Sequence, residues 1–464
     1  MMTLHLEQVA RHLHAHVRNA STPSTTSLKG VSIDTRSLEA GNLFVALKGE
    51  RTDGHQHLAA AQQKGAAAAI VSAPAPHVPL PQLVVASPEK ALAQLAAFWR
   101  QQFSLPIIAI TGSNGKTTLK NMLGAILLSA CHAQAAQILC TPGNLNNHLG
   151  VPLTLLQLTA AHRYAAIEMG MNHFGEIELL TKITRPQVAV ITNAGASHLA
   201  GVGDIAGVAR AKAEIFLGLP PDGIAILNHD DAFFTFWRNS LRESQRAYLS
   251  FGTHPKAAVR LLAATPTAHL TQALHVLTPA GTLDINLPLL GKHNIANALA
   301  ATAAALAIHV PLAAIKAGLA HVQPAAGRLQ HHQHPHKNIH IIDDTYNANP
   351  FSLQAAIDTL TTFPGKKIVV LGDMKELGEK ETALHEEAGR QLRASKVDHL
   401  LTCGELSANT TASFGQGACH FSDHTKLLEA LTTFLQDQTT ILVKGSRSMQ
   451  MEQIVNALLR TDAS

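Results

Sequence analysis

The segment "PIIAITGSNGKTTLKNMLGAILLSA" (Pro106–Ala130) decides how this chain folds. Ile107 to Ile110 form an apolar run, a turn with two glycines follows, and apolar residues return from Leu119 onward with helical spacing. That order reads strand, glycine-rich turn, helix, and such a turn aims free backbone N–H groups at one point. Gly112, Ser113, Asn114 and Gly115 make the turn, with glycines where side chains would obstruct the backbone. Lys116 can set its ammonium against the β- and γ-phosphates of a nucleotide, and Thr117, followed by Thr118, can offer a hydroxyl to Mg²⁺. The spacing is shorter than Gly-x-x-x-x-Gly-Lys-[Ser/Thr], which needs a glycine where the chain has Ile110. A plain turn with a surface lysine is the alternative. The complete order of strand, glycines, Lys-Thr-Thr and helix favours a nucleotide site.

Outward from this segment, short apolar runs alternate with alanine-rich helical stretches. The runs are "AAAAIVSA", "QLVVAS", "YAAIEMG", "QVAVITNAG", "GIAILNHDD", "IHIIDDTYN", "KKIVVLGDM", "HLLTCG" and "TTILVKGS". Continuous apolar strands between helices predict mostly parallel sheets covered on both faces, the α/β class. Several runs end in polar or glycine-containing clusters: Glu168–Gly170, Asn193–His198, Asp343–Asn349, Gly372–Lys375 and Lys444–Arg447. Open α/β sheets bind ligands at the carboxyl ends of their strands, so the chemistry is expected there. The region from Ser250 to Pro288 alternates in a way that predicts antiparallel edge strands.

A chain of 464 residues suggests about three domains at roughly 150 residues each. The helix "PEKALAQLAAFWRQQFSLP" closes a first domain, 1–105, and the Pro- and Gly-containing "AHVQPAAGRLQHHQHPHKN" divides 106–322 from 323–464. A net charge of +4, with no Lys/Arg-rich arm, points away from nucleic acid and toward local basic sites for anionic ligands. Cys131, Cys140, Cys403 and Cys419 form no Cys-x-x-Cys pair, which fits a reducing compartment, and the expected location is the cytoplasm. The N-terminus does not read as a signal peptide, and the run "ALAATAAALAI" (Ala298–Ile308) is too short to span a bilayer, so no membrane insertion is expected. The tract "HHQHPHKNIH" (His331–His340) carries Pro335 and no fixed ligand spacing, and reads as a solvated loop rather than a metal site.

Other residues stand out with structural alternatives beside them. Glu168 and His198 each follow a strand at the sheet end where the glycine turn lies. Together they can bind a divalent cation; singly they read as a helix cap and a loop histidine. Lys212, in "GVARAKAEIF", reads as a helix-surface lysine. Asn294 and Asn297 are one helical turn apart and could recognise a purine through an amide, or simply cap the helix. "DDTYNANPFS" (Asp343–Ser352) could be a well-capped turn, and Lys444 and Arg447 suit an anionic group or a solvated loop.

Taken together, "TGSNGKTT", "EMGMNHFGEI", "ITNAGASHL", "GKHNIANALAA", "DDTYNANPFS" and "VKGSRSMQME" resemble the ATP-dependent Mur ligases, and within them the MurF type. "SIDTRSLEAGNLFVALKGERTDGHQH" resembles the UDP-binding first domain of such ligases, and "TPGNLNNHLGVP" the segment facing the UDP-muramoyl substrate. The shortened turn is that family's own TGxxGKT[ST] form. The last domain carries Asn347-Ala348-Asn349-Pro350 and not the Asp-Asn-Pro-Arg motif of the diaminopimelate- or lysine-adding type.

The resemblance implies an N-terminal domain binding the UDP-linked substrate, a central mononucleotide-binding domain and a C-terminal Rossmann-like domain. It implies ATP with Mg²⁺, two ions, and ligation of D-alanyl-D-alanine to UDP-N-acetylmuramoyl-tripeptide through an acyl phosphate, by a monomer. It assigns Lys116 and the turn to the phosphates, and Thr117, Glu168, His198 and a carbamylated Lys212 to the metal. Asn294, Arg328 and Asp344 fall to ATP. Asp34, Thr35, Arg36, Asp53, Gly54, His55, Asn144, Asn146 and Asn147 fall to the UDP-linked substrate, and Asn347, Asn349, Lys444 and Arg447 to the dipeptide.

Overall fold

Runs of Val, Ile, Leu and Ala without polar alternation are satisfied as strands only where both faces are covered. The computed structural model describes residues 3–19, 26–49, 52–267 and 271–460, and in it each run named above is a strand. Ile107–Thr111 is buried at every position. Its sheet has nine strands, in the order Gly281–Leu287, Gln272–Thr278, Val259–Pro266, Ala247–Gly252, Ile224–Asn228, Val188–Ile191, Ile107–Thr111, Tyr164–Glu168, Ile138–Cys140. Pairing is parallel except for the two antiparallel ladders of the hairpins at the first edge, which include the expected edge strands. Residues 268–270 of that region lie outside the described ones.

From Ile107–Thr111 the chain leaves for one side of the sheet and later returns to the other through Val188–Ile191. The loops after these two neighbours diverge at a topological switch point, where α/β sheets hold ligands. Helix Lys116–Ala130 packs Leu119, Met122, Leu123, Ile126 and Leu127 onto the sheet at helical spacing. Helix Lys292–Ala307 is buried nearly all round, because its alanines allow close approach to the strands and to Lys116–Ala130.

The C-terminal sheet has six strands, in the order Gln330–Gln333, Ile339–Asp344, Thr439–Lys444, Lys366–Gly372, His399–Cys403, Ala418–Phe421. All pairs are parallel save the first. That first pair corrects the solvated-loop expectation for the histidine tract. His331 and His340 lie across a β-hairpin, with Nε2 of one 2.9 Å from Nδ1 of the other, and both rings pack on Phe363. Burial, reinforced by His340, pushes His331 down to about 4, so the pair is neutral and part of the core edge.

In the N-terminal part, a mixed five-stranded sheet runs His16–Arg18, Gln82–Val84, Ala68–Val71, Leu43–Val45, Val31–Ser32. Helix Pro88–Arg100, capped by Ser87 and started by Pro88, leads out of it. It is tied to the central sheet by Trp99, whose indole N–H donates to Leu158 O, and by Arg100, which donates to Thr184 O and Arg185 O at the carbonyl end of helix Glu176–Thr184. All four cysteines are free. Among the described residues no helix is long and apolar enough to cross a membrane.

Candidate active site

The glycine turn needs its glycines. Gly115 caps helix Lys116–Ala130 at φ +84°, a left-handed conformation, and a Cβ there would strike the Asn297 amide. Lys116 folds back over the turn and donates to Gly112 O at 2.8 Å. Desolvation lowers its pKa, against the pull of Glu168. The loop following Val188–Ile191 clamps the turn, a role the sequence did not disclose. Thr192 Oγ1 donates to Asn114 O at 2.6 Å, and the Asn193 amide accepts from Asn114 N and donates to Asn114 O. Ser113 Oγ donates to Gly195 O in the same loop.

Beyond the turn, Thr117 Oγ1 donates to Glu168 Oε2 at 3.0 Å, and the other Glu168 oxygen accepts from Asn146 Nδ2 at 2.8 Å. Arg328, from the C-terminal sheet's side, reaches Thr117 Oγ1 at 3.2 Å and stacks its guanidinium 4.1 Å from the Tyr346 ring centre. These groups, with Lys116, His198, Asn144, Asn147, Asn347 and Asp344, line one cleft of about 1490 Å³ between the two sheets. Asn147 Oδ1 also accepts from Leu149 N and Gly150 N in the turn that leads into helix Gly150–Leu155. Among the described residues no group of three or more His, Cys, Asp or Glu is gathered closely enough to cage a metal. A hydroxyl, a carboxylate and an imidazole on one cleft wall nevertheless suit Mg²⁺, which takes few protein ligands and completes its shell with phosphate oxygens and water.

Lys212 is corrected from surface to core. It lies on helix Ile205–Ala213, 2% exposed, and no hydrogen bond or ion pair engages its amine. Burial drives its pKa well down, and the positive charge of Lys116 adds to that. The helix does have an outward face, with Ile205, Ala206 and Arg210 exposed, but Lys212 lies on the inward one with Val208, Ala209 and Ala211.

A second cleft of about 820 Å³ shares Asn114, Gly115, Arg328, Asp344 and Ser352 with the first. Its walls include Thr118, Phe251, His293, Asn294, Asn297 and Phe351. Asn294 and Asn297 are both buried; Asn294 Nδ2 donates to Leu290 O, which leaves the pair oriented along the cleft. Its apolar and aromatic walls with a few convergent amides suit a flat heterocycle. Burial pushes His293 down to about 4 against an ordinary 6.5, outweighing the attraction of Asp344. The folded chain thus refuses a proton that the unfolded chain accepts. This contribution to stability is present above pH 6.5 and is lost as pH falls toward 4. Acid titration of the unfolding midpoint is expected to show that slope, and His293→Gln to flatten part of it.

Of the four residues expected at the dipeptide, the structure rearranges three. Asn349 caps helix Pro350–Leu360 in a capping box with Ser352, and its Nδ2 donates to Asn114 Oδ1 at 3.0 Å, so it ties the C-terminal domain to the phosphate turn. Lys444 is buried and bonded to Asp344 Oδ2 and Asn347 O. Arg447 lines neither cleft and pairs with Glu452 at 3.1 Å. Asn349→Ala is expected to cost about 1 kcal/mol through the lost cap, read in urea unfolding. Asn349→Asp keeps the cap acceptor and loses only the bond to Asn114.

The first-domain candidates sit apart from both clefts. Asp34 and Arg36 satisfy each other in an exposed pair, which lowers Asp34 to about 2, and Thr35 lies between them in a turn. Asp53 caps its own short helix and holds His55 Nδ1 at 2.7 Å, while His55 Nε2 accepts from Ser72 N. Gly54 is packed against the Leu47 backbone with no room for a Cβ. This trio builds the local fold. Glu50 and Arg51 of the same segment lie outside the described residues.

A phosphate turn on one parallel sheet, facing a second parallel sheet across a shared cleft, makes this a three-domain α/β mononucleotide-binding protein. The chain belongs to the Mur ligase family. The family's catalytic domain matches residues 27–100, its middle domain 110–305 and its glutamate ligase domain 327–447. The chain is 43% identical over 463 residues to the UDP-N-acetylmuramoyl-tripeptide–D-alanyl-D-alanine ligase of Escherichia coli (strain K12), covering 99% of each. It superposes on the crystal structure of MurF from Acinetobacter baumannii with a TM-score of 0.92 at 36% identity, covering 99% of this chain and 100% of that one. MurF ligase from Thermotoga maritima, solved in complex with ADP, gives a TM-score of 0.81 at 26% identity over 93% and 97% of the two chains.

Proposed function

We propose that this chain joins D-alanyl-D-alanine to UDP-N-acetylmuramoyl-tripeptide at the expense of ATP, a step of peptidoglycan precursor synthesis. The observation that carries the reading is the shared cleft, with phosphate turn, Glu168 and His198 on one wall and the C-terminal strand ends on the other. It occurs in a chain similar from end to end to UDP-N-acetylmuramoyl-tripeptide–D-alanyl-D-alanine ligases. ATP is placed with its purine in the smaller cleft beside Asn294 and Asn297, and its phosphates over Gly112–Thr118. Residues 1–105 are assigned to the UDP-linked substrate, 106–322 to ATP and 323–464 to the dipeptide. One substrate is UDP-linked and the reaction consumes ATP, which supports a cytoplasmic location.

Lys116 swings from Gly112 O to the γ-phosphate and, with the turn's N–H groups, holds it for in-line attack. The tripeptide's terminal carboxylate oxygen bonds to that phosphorus, the bond to ADP breaks, and an acyl phosphate results. The dipeptide amine attacks the acyl carbon, inorganic phosphate leaves, and the amine sheds a proton. Bound near Thr117, Glu168, His198 and a carbamylated Lys212, Mg²⁺ would neutralise charge on the phosphates. Arg328 adds a fixed positive charge on the opposite wall, and closure of the two sheets excludes water from the acyl phosphate.

The test is phosphate release from ATP with UDP-muramoyl tripeptide and D-alanyl-D-alanine each omitted in turn. Turnover that requires both is expected. Release without either substrate, or full turnover with a single amino acid in place of the dipeptide, overturns the assignment.

A further inference from the structure

Among the described residues, three polar side-chain contacts tie the C-terminal domain to the central one across the cleft: Arg328 to Thr117, Asn349 to Asn114, and Glu376 to His198. The third is unlike the others. Glu376 Oε2 lies 3.3 Å from His198 Nδ1, and both residues hold left-handed backbone conformations, φ +64° and +54°. Neither is glycine, and each such conformation costs about 1 kcal/mol or more. The Glu376 side chain is 67% exposed, and even a fully charged pair so exposed contributes only about 0–1 kcal/mol. The pair therefore does not offset the strain of building it, and strain kept at a cleft marks function rather than stability. Glu376 lines the same cleft as Lys116, Thr117 and Glu168, and belongs to "GDMKELG", a segment the reaction described above leaves without a role.

We propose that Glu376 is a positioning residue that holds the His198 ring by Nδ1, so that Nε2 faces the metal only when the C-terminal domain is seated. The inference rests on the reading of His198 as a metal ligand. Engaging one ring nitrogen with a carboxylate selects the tautomer and orientation in which the other is the ligand. No hydrogen bond or ion pair engages Nε2 in the structure. Because the carboxylate comes from the loop after strand Lys366–Gly372 of the C-terminal sheet and the imidazole from the central domain, the metal site is completed by domain seating.

The experiment measures Mn²⁺ affinity by electron paramagnetic resonance in the full-length protein with a non-hydrolysable ATP analogue and UDP-muramoyl tripeptide. Glu376→Gly, which keeps φ +64° without strain, is expected to weaken Mn²⁺ binding by about 10–100-fold. Glu376→Gln, which still accepts from Nδ1–H, is expected to recover most of it. In a His198→Ala background Glu376→Gly is expected to have no further effect. Wild-type affinity in Glu376→Gly, or an equal loss in both backgrounds, overturns the inference while leaving His198 as a ligand. Wild-type affinity in His198→Ala overturns the metal-site reading along with it. Melting temperatures of the variants identify any loss that comes from unfolding, and in that event Glu376→Gln, no better than Glu376→Gly on a folded protein, counts against the inference.

Discussion

Lys116→Ala is expected to lower kcat for amide formation by about 10²–10³-fold with the fold intact. The lysine opens a helix whose core contacts come from Leu119, Met122, Leu123, Ile126 and Leu127, and among the described residues its own ammonium bonds only to Gly112 O. Alanine suits that first turn, so little structure is lost. Catalysis has no substitute cation. Lys212 is buried without a partner, Lys444 is held by Asp344 and Asn347, and Arg328 is bonded to Thr117 and stacked on Tyr346. Phosphoryl transfer leaves the protein mainly positioning and charge neutralisation, so removing the one mobile cation at the turn removes most of what the turn supplies. Steady-state phosphate release gives kcat, and circular dichroism with a urea midpoint reports the fold. Near-normal turnover in a folded variant would show that the phosphate rests elsewhere.

Lys212→Met is expected to separate stability from activity. Methionine fills a similar volume without a charge to desolvate, so the urea midpoint should hold or rise. If Lys212 carries the proposed carbamate, turnover should fall by about 10²-fold or more, because the negative charge proposed to hold the metal is lost. The chemistry of the site makes that modification accessible. A buried lysine beside the charge of Lys116 favours the neutral amine, and only the neutral amine carries the lone pair that adds to carbon dioxide. Nuclear magnetic resonance of protein equilibrated with ¹³C-bicarbonate should show a carbamate carbon in the wild type and none in Lys212→Met. Wild-type turnover in the variant would reduce Lys212 to a core residue.

Much of the architecture is legible along the chain because its causes are local. Ile107–Ile110 can be nothing but a buried strand, Gly112 and Gly115 must lie in a tight turn, and the spacing of Leu119, Met122 and Leu123 makes a helix. The strand-end clusters announce which rim of each sheet carries chemistry, and Glu168, His198 and Asp344 do face one cleft. Other residues take partners that pattern and spacing do not announce. The histidine tract reads as polar and solvated, yet His331 meets His340 across a hairpin and leans on Phe363. Arg447 looks like a ligand cation until Glu452 engages it. Asp53 and His55 look available until the short helix they cap and Ser72 take up their polar atoms.

Periodicity, glycine placement and strand-end polarity thus carried the class of fold, the phosphate turn and the rim of the sheets, since each depends on residues a few positions apart. Which polar side chains remain free depends on residues tens or hundreds of positions away. Thr192 and Asn193 grip Asn114, Arg328 reaches Thr117, Asn349 reaches back to Asn114, and Glu376 faces His198 only once two sheets close over one cleft. Lys212 shows the reason most plainly. The same side chain that sequence places on a helix surface becomes a desolvated amine when packing surrounds it, and desolvation, not residue type, decides its charge.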